Sequence, residues 1–454
     1  MQSCGTSILT NAKEIEQFIG ILITMGYLKY PQYRMYWAKH TKYAPISEIM
    51  GLKRFETLKR YFHVNDNTQM PKKGDSDFDV LYKARPLVDS LIAKCRAVKQ
   101  EECHSIDEQI IPTKSRAPIR QYLPKKPHKW GIKVWARCGV SGIVYDFNVY
   151  LGKEATTAET KEYGKVGAVV LKLIENLPKN LNHKLYMDNL FTSINLFNAL
   201  KQKGIWAVGT IRSNRLHGAE KLMKKKKELQ KVGRGSMDYR IDANSNITVV
   251  RWLDNGLVQT ISSFIGPSIG KEIERWSSKQ RKVIKVSCPE IIHQYNKHMG
   301  GVDLCDMLLA LYRIKLGTKK WYMHIIYYCI NVAVVNGWLL YKRHCIQEGK
   351  SRKNTMQLLE FQSRISQSLL LERKVKPGRP GKDSPKPAKR KAASTPSPAP
   401  EILNDGVGHF PLFGDKQQRC KHCKFGYSRI FCEKCKVYLC MVTARNCFYN
   451  FHKH

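Results

Sequence analysis

The chain has 454 residues, too many for one compact core, so about two to four domains are expected. Its 43% hydrophobic and 10% aromatic content excludes a chain disordered throughout. Lys and Arg outnumber the acids 78 to 37, and a net +41 drives a compact fold apart unless a polyanion balances it; this points to nucleic acid ahead of an anionic membrane surface.

Residues 1–102 read as helical. Asn11 and Glu14 make a capping-box-like start, followed by an apolar stripe of Ile15, Phe18, Ile19 and Leu22. A second helical pattern runs from Pro45 to Phe62 through Ile49, Leu52, Phe55 and Leu58. Around Asp107 the pattern changes to strand. Alternation returns at Val134 and Ala136 and again from Ile143 to Tyr150, across the turn Gly139-Val140-Ser141-Gly142. Between the first two strands lies a basic tract of Lys114, Arg116, Arg120, Lys125, Lys126, His128 and Lys129. A carboxylate inside an apolar-flanked strand is costly unless paired or bound to a metal.

Ala158 to Leu177 reads as a helix stopped by Pro178, and Lys184 to Asn189 as a short strand ending in a second acid, Asp188. Ser193 caps a further helix that Gly204 closes, and Ala207 to Ile211 is the next strand. Three strands, a helix, a strand with an acid, a helix and a strand is the order of an RNase H-like core. In that fold the first and fourth strands lie side by side, and their acids jointly hold divalent metal. Residues 214–288 interrupt it with a basic run, Lys221 to Lys231, and three short strands at 237–241, 247–253 and 257–264. Pro289 opens another helix, after which Asp303 and Asp306, three apart, share a helical face.

Trp321 to Tyr341 carries no charged residue and is long enough to span a bilayer. His324, Asn331, Asn336 and Gly337 within it favour a buried helix, and basic residues flank both ends, so no charge asymmetry orients it. Residues 371–417 are Pro-, Lys- and Ser-rich and read as a disordered linker. Its run Lys386, Lys389, Arg390 and Lys391 suits nuclear localisation or DNA-backbone contact.

Of 14 cysteines, six fall in the last 35 residues. Cys420, Cys423, Cys432, Cys435, Cys440 and Cys447, with His452 and His454, make eight soft ligands, enough for two tetrahedral zincs. An interleaved division gives one site Cys420, Cys423, Cys440 and Cys447, and the other Cys432, Cys435, His452 and His454. With no secretory signal at the N-terminus, the remaining scattered cysteines read as a reducing compartment rather than a disulfide framework.

The tracts DEQIIPTK, YLPKKPHKWGIK, YMDNLFTS and NKHMGGVDLCDMLL, in this order, resemble the piggyBac transposase family from about residue 12 to the C-terminus. The resemblance implies a DDE/D cut-and-paste DNA transposase with Asp107, Asp188 and Asp303 as catalytic Mg²⁺ or Mn²⁺ ligands and Asp306 nearby. Asp107 bridges two ions in this reading. The fold class expected is therefore α+β and multidomain. A helical dimerisation and DNA-binding region (1–102) precedes an RNase H-like core (103–213 and 289–312) split by an all-β insertion (214–288). A helical DNA-binding region (313–370), the linker (371–417) and a zinc-binding tail (418–454) follow. The family also implies double-stranded transposon ends and a TTAA target, a homodimer in the nucleus rather than at a membrane, and base stacking by Trp321 beside Lys319 and Lys320. The competing class is a domesticated DNA-binding or chromatin protein that keeps the acids without the activity.

Overall fold

The computed structural model describes residues 8–124, 126, 128–152, 157–371, 403, 407–423 and 425–453. They fall in two compact units, Met1–Lys374 and Val375–His454. The first is a mixed α/β unit built on one large sheet.

Four helices come first: α1 (Ala12–Tyr27), α2 (Ala44–Ser47), α3 (Leu52–Tyr61) and α4 (Arg85–Arg96). Asn11 caps α1 by accepting the Glu14 N–H at 2.9 Å. Only half of the capping box forms, because the Glu14 carboxylate turns instead to Arg54 and Thr10. The single helix expected over 45–62 is two, since Gly51 takes an extended conformation before α3.

Strands β1 (Cys103–Pro112), β2 (Arg120–Tyr122), β3 (Trp130–Gly139) and β4 (Val144–Val149) follow. Next come α5 (Ala158–Leu173), β5 (Lys184–Met187), α6 (Ile194–Gln202) and β6 (Trp206–Thr210). β1 runs antiparallel to β3 and parallel to β5, and β5 is parallel to β6. The two parallel pairings need crossovers, which α5 and α6 supply. α5 stops at Leu173, short of the expected Leu177. The end of α6 depends on Gly204, whose φ of +66° favours glycine, and a Cβ there would meet Asn180 Oδ1 at 1.9 Å.

Beyond β6 lie α7 (Lys226–Val232), β7 (Met237–Ile241), β8 (Thr248–Leu253) and β9 (Leu257–Ser262). The full order is β2-β3-β1-β5-β6-β9-β8-β7, with β4 also on β3. Residues 214–288 are therefore not all-β, since they include α7, and three of their strands extend the main sheet. β9 pairs antiparallel with β6, satisfying an edge that would otherwise be left open. Only β10 (Ile269–Ser277) and β11 (Lys282–Pro289) stand off as a hairpin paired with itself.

The last helices of this unit are α8 (Glu290–His298), α9 (Gly301–Leu311), α10 (Trp321–Gln347) and α11 (Leu358–Leu371). β3 has apolar residues on both faces. Val134, Ala136 and Cys138 join the core shared with α1, α3, α4, α9 and α10, while Trp135 joins the core under α5 and α6. The two flanking helical regions thus share one core with the sheet. α10 is long and apolar enough to cross a membrane by length and composition, and 67% of its most apolar window is buried inside the protein. Two of its buried polar side chains find partners there: Asn336 Oδ1 accepts the Val144 N–H at 3.0 Å, its Nδ2 donates to Val144 O at 2.8 Å, and the Tyr328 hydroxyl donates to Gln109 Oε1 at 2.6 Å.

The second unit holds β12 (Pro411–Arg419), β13 (Tyr427–Cys432), β14 (Met441–Val442), β15 (Arg445–Asn446) and α12 (Cys447–His452). β12 pairs with β13 and β14 with β15. Its small core is mostly cysteine, filled out by Val437, Leu439 and Phe448.

Candidate active site and metal centres

Asp107 lies in the middle of β1, opposite Ala136 of β3. The parallel register sets Ile106 beside Met187, so Asp107 and Asp188 follow on neighbouring strands. Asp188 is the first residue past β5, where the chain turns. Its Oδ1 accepts the Leu190 N–H at 2.8 Å, and Asp107 Oδ1 accepts the Glu108 N–H at 2.7 Å. α9 brings the other two acids. Gly301 packs so closely on β3 that a Cβ would stand 2.3 Å from Gly139 O, and the Val302 N–H donates to Ser105 Oγ of β1 at 3.0 Å. This contact carries Asp303, exposed, and Asp306, half-buried, to the acid-bearing face of β1.

The four carboxylates share one electrostatic environment. Burial raises Asp107 to about 6; the Glu108 N–H and Lys126 oppose the rise, while Asp188 and Glu108 add to it. Burial raises Asp306 to about 7, Lys126 opposing and Asp303 and Asp107 adding. Asp188 is raised by burial and by Glu108. The Tyr295 hydroxyl on α8, pushed up to about 12 first by burial, feels Asp188, Asp107 and Asp303 together. The donors are hard oxygens, as Mg²⁺ or Mn²⁺ require, and the raised proton affinities of Asp107, Asp188 and Asp306 come first from burial and then from neighbouring carboxylates. Among the described residues, the groups whose ligand atoms lie mutually within 4.8 Å are two Cys/His sets in the second unit.

The basic tract reaches this site through Lys126. Its amine donates to Glu108 O at 3.3 Å and lies 3.8 Å from Glu108 Oε1, while Lys133 holds the other carboxylate oxygen at 2.9 Å. Lys114, Arg116 and Lys129 are exposed, and Arg120 lies 4.4 Å over the Trp130 ring. Trp321 is half-buried at the start of α10 and packs against the core. Lys125, Lys386, Lys389, Arg390 and Lys391 lie outside the described residues. The histidines near the acids in sequence are engaged elsewhere: His104 is buried beside Arg137 and His298 lies against Tyr186.

Sequence reasoning missed Glu108, Tyr295 and Arg215. The Arg215 guanidinium collects the carbonyls of Asn189, Leu190 and Thr192 at 3.0, 3.1 and 2.9 Å, fixing the turn that carries Asp188. No local pattern marks it, since its partners lie more than 20 residues upstream.

In the second unit, Cys420, Cys423, Cys440 and Cys447 come together as the spacing suggested. The other set is His409, Cys432, Cys435 and His452. His409 takes the place expected for His454, which lies outside the described residues. His409 Nδ1 is 3.4 Å from both Cys432 Sγ and Cys435 Sγ, and His452 Nε2 is 3.4 Å from Cys435 Sγ. Cys423 and Cys440 sulfurs are 3.9 Å apart. Ligands about 2.3 Å from a tetrahedral zinc stand about 3.8 Å apart, so both sets fit that ion. His452 Nδ1 donates to Phe448 O at 2.8 Å, which presents Nε2 to the sulfurs.

Comparison with known proteins accords with this picture. The family model described as Transposase IS4 matches residues 1–338. The human PiggyBac transposable element-derived protein 3 is 32% identical over 442 residues, covering 96% of this chain and 70% of that protein. The human chimeric ERCC6-PGBD3 protein is also 32% identical over 442 residues; this chain spans 39% of its length. A cryo-EM structure of a piggyBac transposase synaptic complex with hairpin DNA superposes with a TM-score of 0.68 at 22% identity, covering 97% of this chain and 90% of that one. A matched model covering most of the chain and a relative aligned along nearly all of it lead to one conclusion: this chain belongs to the piggyBac-type transposase family.

Proposed function

We propose that this chain cleaves and rejoins DNA strands as a cut-and-paste transposase, with Asp107, Asp188 and Asp303 holding Mg²⁺ or Mn²⁺ and Asp306 assisting. What carries the reading is four carboxylates on three neighbouring elements, β1, the turn after β5 and α9, brought together by the β1–β5 register and by the α9 contact with Ser105. Divalent ions supply an activated attacking oxygen and neutralise the leaving one. The protein's own residues do the rest. Asp107 sits in the rigid sheet, Arg215 fixes the turn of Asp188, and the α9 contact with Ser105 fixes Asp303. Lys126 lowers the proton affinity of Asp306 and Asp107 and offers a cation to the phosphate beside them.

In this reading β1, β3, β4, β5 and β6 are the RNase H-like core, β7 to β11 its insertion, and the helical regions 1–102 and 313–370 bind DNA and dimerise. The substrates are double-stranded element ends and a TTAA target, the linker cations direct the protein to the nucleus, and the two Cys/His sets bind zinc. A second reading is a transposase-derived DNA-binding protein without cleavage, as the name of one relative, a transposable element-derived protein, suggests. Excision of a mini-element flanked by matching terminal repeats separates the two. The first reading requires excision by the unmodified chain and none by Asp188→Asn; DNA binding without excision by either supports the second.

A further inference from the structure

The acids stand at one edge of the large sheet, and the strand registers carry their level across it. Met187, the residue before Asp188, lies beside Gly209, Gly209 beside Ile261, Ile261 beside Val249 and Val249 beside Arg240. Asp188 is therefore level with Tyr239 of β7, and Asp238 lies just past that level on the same edge. There the Lys224 N–H donates to Asp238 Oδ2 at 2.7 Å. Lys224 opens an exposed run that ends at Lys227, with Lys221 and Lys231 exposed on either side of it. A second basic segment reaches the same place from further along the chain. Arg234, just before β7, donates to Trp276 O at 3.0 Å and so ties down the β10–β11 hairpin, whose tip carries exposed Lys279, Arg281 and Lys282.

Folding does not account for these cations. The acids around them are engaged elsewhere: Asp238 with Arg240, Asp254 with Arg234 and Arg275, and Glu272 with Lys285, which Glu274 faces in the hairpin register. Glu228 accepts the Lys225 backbone N–H at 2.7 Å. Among the described residues neither the lysines of the run nor the three hairpin cations form an ion pair. Lys226 and Lys227 also open α7, where the helix dipole disfavours positive charge.

Unpaired cations along the edge that carries the acids fit a phosphate backbone running past that edge. Five strand spacings separate β1 from β7, about 24 Å, which is the length of about seven base pairs. We propose that Lys224 to Lys227, with Lys279, Arg281 and Lys282 of the hairpin, hold duplex DNA about seven base pairs from the phosphate that lies at the acids. The inference rests on the DNA-processing reading above and deepens it. The surface sets the direction in which the duplex leaves the site and adds affinity without touching the reacting strand.

The test uses the full chain carrying Asp188→Asn, so that no cleavage intervenes. Two duplexes share one element end and reach about 4 or about 16 base pairs to each side of the cleavage position, so that only the longer spans the surface. The longer should bind at least about tenfold tighter, with a steeper salt dependence. Lys224→Gln, Lys225→Gln, Lys226→Gln and Lys227→Gln together should flatten the salt slope of the longer duplex by about two to three and remove most of its advantage, while affinity for the shorter stays within about twofold. Lys279→Gln, Arg281→Gln and Lys282→Gln should act in the same direction. Replacing the exposed Lys161, Lys165, Lys172 and Lys179 with Gln removes the same charge elsewhere and should leave the advantage of the longer duplex intact. An unchanged slope in the Lys224–Lys227 variant, equal losses on the two duplexes, or the same loss in the Lys161–Lys179 variant overturns the surface and leaves the DNA-processing reading standing. Failure to bind either duplex at low salt overturns both.

Discussion

Asp306→Asn should stabilise the cation-free protein, and only at neutral or alkaline pH. The folded chain raises this carboxyl from the ordinary 3.8 to about 7, through burial first and then through Asp303 and Asp107. Folding therefore favours its protonated form. The penalty is absent below about pH 4, where the group is neutral in both states, and complete above about pH 7. By linkage the displacement corresponds to about 4 kcal/mol, and solvent at a half-buried carboxylate brings the figure nearer 2 kcal/mol. Asn keeps the shape and removes the charge. Thermal unfolding in chelator should show the variant a few degrees above the unmodified chain at pH 8, and level with it below pH 4. Mg²⁺ or Mn²⁺ at pH 8 should raise the unmodified chain and narrow the gap. A variant no more stable at pH 8 than at pH 4, relative to the unmodified chain, would refute the claim that folding raises this carboxyl.

The full chain should carry about two zincs per molecule by elemental analysis. His409→Ala should reduce the count to about one and His454→Ala should leave it at two; the opposite pair of results would restore the spacing-based assignment. DNA affinity should fall with salt at a slope of about −0.9 per phosphate contact. Charge-neutralising Lys126 and Lys129 to Gln should lower both the slope and the cleavage rate at saturating DNA, whereas neutralising Lys386, Lys389, Arg390 and Lys391 should lower the slope alone; a normal cleavage rate in the first variant would move the strand's entrance elsewhere. Arg215→Leu should slow cleavage at saturating DNA at least tenfold while leaving DNA affinity within about threefold, because it loosens the Asp188 turn rather than a phosphate contact; an unchanged rate would make Arg215 merely structural.

The places of the acids in the fold were legible because each has a strong local context. Asp107 interrupts an alternating strand, Asp188 ends a short apolar one, and Pro289 and Gly300 punctuate the helices before Asp303 and Asp306. Long-range pairing was not legible. β7, β8 and β9 read as strands in isolation, but nothing in their residues says that β9 lies against β6. His409 escaped for a related reason. It lies 23 residues before Cys432, across a whole strand, whereas the eye is drawn to ligands clustered at the chain's end. Arg215 and Glu108 look like ordinary charges in sequence and acquire their roles only when the sheet assembles. The broken helix at Gly51 was readable, since glycine weakens a helix interior, but the apolar stripe running through it outweighed that signal.

The central claim is that the four acids cleave DNA, and excision of the mini-element tests it most directly. Asp107→Asn, Asp188→Asn and Asp303→Asn should each abolish excision, with DNA affinity within about threefold of the unmodified chain, because affinity rests on Lys and Arg contacts with phosphate. Asp306→Asn should be milder. Full excision by any of the first three would remove that residue from the site, and excision by all three would contradict the account.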